Sequence, residues 1–216
     1  GSLTSKLIRV TQAGGVVTDY TISVTINKAT PTISIALPGS VTTAKYGTPV
    51  SIFAVATTPG SVNFKDGANV ISGCESVTAT SGVATCSWTP NAIGSRTITA
   101  KLTPADTSNY NSSADTTFGV TVGKADTMTV TATDESFDFT NSAALVTKRF
   151  TFNGLVSIDT LTAVSMVYSG TANDLTVYNS STAPTLAGTY VITPDTSTAG
   201  ISTIAGNYAS IAVVPG

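Results

Sequence analysis

Apolar and polar residues alternate one for one along much of this chain. Ile33-Ser34-Ile35 and Arg96-Thr97-Ile98-Thr99-Ala100 are the clearest runs. A period of two places every second side chain on one face of a β-strand. No helical period stands out, though Asn141 to Val146 has the composition for one helical turn. Between residues 30 and 124 the pattern predicts strands at Thr32–Leu37, Pro49–Thr57, Ser61–Lys65, Val70–Thr78, Val83–Trp88, Ser95–Leu102 and Thr116–Val122. Turn signals such as Pro38-Gly39, Pro59-Gly60, Asp66-Gly67 and Ser81-Gly82 separate them. Short strands punctuated this often are the pattern of a β-sandwich. Residues 125–216 predict six more, at Met128–Thr133, Arg149–Phe152, Leu161–Tyr168, Leu175–Tyr178, Thr189–Thr193 and Tyr208–Val214. Ahead of both, Leu7 to Gln12 and Val16 to Ile26 predict a hairpin around Ala13-Gly14-Gly15.

The chain also repeats itself. Val24-Thr25-Ile26-Asn27-Lys28-Ala29 returns as Val120-Thr121-Val122-Gly123-Lys124-Ala125, 96 residues on (120 − 24). Gly94-Ser95-Arg96-Thr97-Ile98-Thr99 matches Gly188-Thr189-Tyr190-Val191-Ile192-Thr193 at a spacing of 94, and Asn109-Tyr110 matches Asn207-Tyr208 at 98. Three anchors at nearly one period describe a tandem array. The expected organisation is the terminal hairpin of a preceding module at 1–29, a full module at 30–124 and a second β-rich module at 125–216. Gly1-Ser2 reads as a cloning scar, so the chain is expected to be a piece of a longer protein. The fold expected is all-β, in tandem sandwich modules with antiparallel sheets.

Composition narrows the function classes. Roughly a third of the 216 residues are Val, Ile or Thr, the branched side chains that suit a pleated surface. Charged residues are 10% and the net charge is −2, so there is no basic surface to neutralise nucleic-acid phosphates. No run of eighteen apolar residues exists for membrane insertion. The chain has no histidine, which removes the commonest general base and zinc ligand. Gly119-Val120-Thr121-Val122-Gly123-Lys124-Ala125 is too short between its glycines for a phosphate loop, and Ala125 stands where a hydroxyl would bind magnesium. Enzyme activity is not expected.

Cys74 and Cys86 are the two cysteines. Pairing Val77 with Val83 across the turn Ala79-Thr80-Ser81-Gly82 sets Cys74 opposite Cys86, close enough for a disulfide. A disulfide places the protein outside the cytosol.

The segments Tyr46-Gly47-Thr48-Pro49-Val50, Gly73-Cys74, Ser81-Gly82-Val83-Ala84-Thr85-Cys86, Gly94 to Ala100 and Asn109-Tyr110 together resemble the bacterial immunoglobulin-like repeat of the third group, over about 30–124. Tyr168-Ser169-Gly170-Thr171-Ala172, Ala187 to Ile192 and Asn207-Tyr208 are similar to the MBG modules of bacterial surface proteins and adhesins, over 125–216. The resemblance implies immunoglobulin-like sandwiches in a secreted or wall-attached bacterial protein, serving as stalk or adhesive array. It brings no catalytic residue.

Three binding chemistries remain to weigh. Asp134, Glu135 and Asp138 cluster in a loop, with Asp126 at the joint; hard oxygen ligands there suit calcium, and a solvated acidic loop is the plainer alternative. Lys148 with Asn207 and Glu135 is a candidate trio for an intramolecular isopeptide bond, against the alternative that these are plain surface residues. Tyr168, Tyr178 and Tyr190 are candidates for stacking on a sugar, against core packing or anchoring of loops through their hydroxyls. No resident cofactor is expected. The expected partners are neighbouring repeats of the same chain, with a cell-surface glycan or protein as a further candidate. The leading expectation is a structural spacer that projects another domain; the alternative is an adhesin or surface-layer module that binds glycan, matrix protein or its own copies. A dimer made through the leading hairpin would be an artefact of excision.

Overall fold

The computed structural model describes residues 4–133, 150–161, 164–197 and 199–216. The chain is all-β, with its strands in several mainly antiparallel sheets. It forms two compact units. The first comprises Gly1–Thr42, Val50–Trp88 and Arg96–Val120; the second comprises Thr43–Pro49, Thr89–Ser95 and Thr121–Gly216.

In the first unit the strand Val50–Ala56 pairs antiparallel with Ile33–Ala36 on one side and Val83–Trp88 on the other. A second sheet runs Thr116–Gly123, Gly94–Pro104, Gly60–Asp66, Asn69–Val70, with Val77–Thr78 also on Gly60–Asp66. The period-two pattern becomes alternating burial. Ile52, Ala54, Ala84, Cys86 and Trp88 point inward from one sheet, and Val62, Phe64, Ile98, Ala100 and Leu102 from the other. Each large aliphatic or aromatic side chain so buried stabilises by about 1.5–3 kcal/mol.

Cys74 and Cys86 are bonded, with Sγ–Sγ 2.04 Å and Cα–Cα 5.7 Å, but not across the expected hairpin. Val77 pairs with Val62, and Val83 pairs with Val55. The stretch 70–78 is not one strand. Gly73 takes φ +78°, and the Cys74 N–H turns back onto the Ile71 carbonyl at 2.9 Å, breaking the run. The Cys74 carbonyl instead accepts the Phe64 N–H at 3.0 Å. The disulfide therefore ties a loop flanking one sheet to a strand of the other.

A two-stranded ribbon, Thr4–Thr11 with Val17–Val24, precedes these sheets, its turn built on Gly14 and Gly15 at positive φ.

In the second unit Met128–Ala132 lies between Phe150–Asn153, antiparallel, and Ile211–Val214, parallel. Ser165–Ala172 lies between Val177–Ser180 and Gly188–Asp195, both antiparallel. Thr43–Lys45, which the sequence pattern does not predict as a strand, pairs in parallel with Thr121–Gly123. Leu175 belongs to a turn rather than to the strand expected there. Between Gly188–Asp195 and Ile211–Val214 sit the single helical turn Ala199–Ser202 and a 3-10 turn at Ala205–Asn207. Met128, Val130, Met166, Ile201 and Tyr208 make its core.

Candidate functional site

The two Lys-Ala anchors found in the sequence are built the same way in space. In the first unit the Ala29 N–H donates to the Asn109 carbonyl at 2.9 Å, and the Ala29 carbonyl accepts the Asn111 N–H at 2.8 Å. In the second unit the Ala125 N–H donates to the Asn207 carbonyl at 2.8 Å, and the Ala125 carbonyl accepts the Ala209 N–H at 2.9 Å. Each is a one-residue parallel bridge, Ala29 with Tyr110 and Ala125 with Tyr208. Two of the three repeated motifs are thus each other's partners. The first clamp is reinforced. Lys28 Nζ donates to the Thr107 carbonyl at 2.6 Å. The Asp106 carboxylate accepts the Asn109 side-chain amide and the N–H groups of Asn109 and Ser108, and the Asn109 side chain is the main cause holding the Asp106 carboxyl below its usual range.

The second unit carries a carboxylate between two phenols. Tyr46 Oη donates to Asp159 Oδ1 and Tyr208 Oη to Asp159 Oδ2, both at 2.6 Å. Tyr208 Oη also accepts the Val156 N–H at 2.9 Å. Tyr208 is 1% exposed and Tyr46 4%. Burial first, then the bond to Asp159, pushes the Tyr208 hydroxyl up to about 12 and the Tyr46 hydroxyl higher still. Each carboxylate oxygen accepts one phenol, so the cluster acts as a latch that joins segment 43–49 to the segments around 159 and 208. Next to it Lys45 Nζ contacts both Asp126 oxygens at 2.9 Å.

Comparison with known family models, curated proteins and solved structures finds no match.

Of the expected calcium ligands, Asp126 is engaged by Lys45, while Asp134, Glu135 and Asp138 lie outside the described residues. Among the described residues no three acidic, histidine or cysteine side chains converge as a metal set would. Lys148, Glu135 and the turn expected at Asn141 to Val146 also lie outside the described residues. Tyr168 is buried in the core. Tyr178 and Tyr190 come together edge to face with ring centroids 5.7 Å apart. They flank Gly170, which pairs with both. A Cβ there would strike the Thr189 carbonyl oxygen, so the close approach of the strands requires glycine. The two hydroxyls donate to the carbonyls of Thr182 and Leu186 at 2.8 and 2.9 Å and so anchor neighbouring loops.

Two polar clusters escaped the sequence reading. One is the Tyr46–Asp159–Tyr208 latch. Its tyrosines stood inside recognised motifs, but nothing near Asp159 in the sequence marked it as their partner. The other is Asp66, 8% exposed, which the sequence showed only as half of a turn dipeptide. Arg96 grips it with Nε–Oδ1 3.0 Å and Nη2–Oδ2 2.8 Å, and Trp88 Nε1 donates to Oδ2 at 3.3 Å. A shallow polar depression of about 130 Å³ on the first unit is lined by Asn63, Lys65, Thr99, Lys101, Thr103 and Asp115. Small-molecule sites ordinarily enclose about 300 Å³ or more.

Proposed function

We propose that this chain is a pair of spacer modules from the stalk of a multi-domain bacterial surface or secreted protein, each an immunoglobulin-like sandwich, the second of MBG type. The observation that carries the reading is the duplicated clamp: the same two backbone hydrogen bonds close the Lys-Ala start of each module onto its own Asn-Tyr segment. A device built twice at one period is what a repeating mechanical element needs. The inter-sheet disulfide and the Tyr46–Asp159–Tyr208 latch add cross-links within the units and fit an extracellular setting. Such modules work by resisting extension while another domain makes contact. Single-molecule pulling of the oxidised protein tests this. Each module should open in one cooperative step releasing roughly 300 Å of chain; gradual yielding at low force would sink the reading.

A specific observation favours a second reading, an adhesive module for glycan, matrix protein or copies of itself. Leu175 sits at φ +69° with 82% of its surface exposed, and Val177 is 80% exposed. A strained, bare leucine at a loop tip lacks a packing reason and suits a contact. Labelled protein on an array of glycans, matrix proteins and wall polysaccharide, with calcium and with chelator, checks it; a Leu175-dependent hit would favour adhesion over the stalk.

A further inference from the structure

One face of the leading ribbon is richer in apolar side chains than the other. Residues paired across strands share a face. Ile8 with Tyr20, Val10 with Thr18, Lys6 with Ile22 and Thr4 with Val24 therefore stand on one side; Arg9 bonded to Asp19, Leu7 with Thr21, Thr11 with Val17 and Ser5 with Ser23 stand on the other. On the first side Ile8, Val10, Tyr20, Ile22 and Val24 are 44–57% exposed. A two-stranded ribbon is marginal without something to cover such a face.

The internal repeat says what covers it. Val24 and Ile26 match Val120 and Val122. The latter pair are each 2% exposed, whereas Val24 is 52% and Ile26 65% exposed. Thr121–Gly123 adds in parallel to Thr43–Lys45, whereas the matching Thr25–Asn27 lies in no strand. The same positions are core in one copy and bare in the other.

We infer that the ribbon is the last pair of strands of a further β-module and docks onto a module of the first unit's kind that is open where its own last two strands would lie. The face bearing Ile8, Tyr20 and Ile22 closes that module's core, and Thr25–Asn27 extends in parallel along its counterpart of Thr43–Lys45. A second copy of this chain does not fit as the occupant. Its Thr43–Lys45 strand is already taken by Thr121–Gly123, and its first unit already carries Gly94–Pro104 beside Thr116–Gly123. The inference rests on the repeat and not on the mechanical role, so either can fail alone.

The test extends the full chain by placing a copy of residues 30–93 directly ahead of Thr4, so that Thr4–Thr11 follows where Gly94–Pro104 follows in the first unit. Hydrogen exchange of the ribbon amides from Thr18 to Val24 is compared with the unextended chain. The expected result is slowing on the order of a hundredfold, abolished by Ile22→Asp in the extended chain, while Ile22→Asp leaves the melting of the unextended chain unchanged. Exchange unaltered by the extension would overturn the inference. So would an unextended chain that dimerises and loses the dimer on Ile22→Asp, since a second copy would then be the occupant. A large drop in melting temperature from Ile22→Asp in the unextended chain would also overturn it, by showing the face already covered.

Discussion

At the scale of single residues, the strongest couplings surround two aspartates. Asp66 is buried, and its charge is balanced by the two-pronged grip of Arg96. Removing the partner strands the carboxylate, so Arg96→Ala should cost roughly 3 kcal/mol of first-unit stability in denaturant titration. Arg96→Lys should recover only part of this, because an ammonium cannot reproduce the planar fork. Asp159 holds two phenols in the neutral, donating form. Tyrosine ionises near pH 10 in an unfolded chain, and here the folded values lie higher. The folded state therefore keeps protons that the unfolded state gives up. This contribution is complete below about pH 10 and fades as pH rises toward 12, by about 1.4 kcal/mol per pH unit for each tyrosine. Ultraviolet titration should find Tyr46 and Tyr208 ionising only with alkaline unfolding, and Tyr208→Phe should flatten the alkaline limb of the stability curve. Leu175 tests the opposite trade. Leu175→Gly relieves a left-handed backbone and should raise the melting temperature, with a gain of about 1 kcal/mol; lost binding on the array beside gained stability would identify the side chain as a contact.

At the scale of elements, the period-two alternation is a reliable guide wherever a strand has one wet and one dry face. Gly60–Asp66, Val83–Trp88 and Gly94–Pro104 follow it closely and were legible in advance. The pattern fails where a run is interrupted by geometry rather than by composition. Residues 70–78 look like one strand until Gly73 turns the chain, and that turn moves Cys74 from a hairpin edge to a loop facing the other sheet. The disulfide expected from a Val77–Val83 register forms, but that register does not, because Val77 pairs with Val62 and Val83 with Val55. Thr43–Lys45 was hidden because three residues are too few to show a period, and its partner lies far along the chain. The latch was hidden for the same reason, since a contact between Tyr46 and Asp159 has no local signature. Reducing the bond, or replacing both cysteines by alanine, should lower first-unit stability by about 3 kcal/mol, because a loop of this length is then free in the unfolded chain. Equilibrium unfolding with and without reductant measures it.

At the scale of the whole molecule, the repeat is the deepest regularity. It spaces three sequence motifs, and two of them meet as backbone partners in both copies. Under load the disulfide should hide the eleven residues between Cys74 and Cys86 (86 − 74 − 1), shortening the first module's extension by about 40 Å. Reductant should restore that length in pulling traces and leave the second module's step unchanged.

The clamps also set an order of events during synthesis. Ala29 waits for residues 109–111, and Ala125 for residues 207–209, so neither module can close its first residue until nearly all of its own chain has emerged. Closing so long a loop is slow compared with local pairing. A chain emerging with its N-terminus first would thus leave Ala29 and Ala125 unclamped through most of each repeat, while local pairs such as Ile33–Ala36 with Val50–Ala56 form earlier. The clamp would then be among the late contacts of each repeat, made only shortly before the strands Thr116–Gly123 and Ile211–Val214 follow it out.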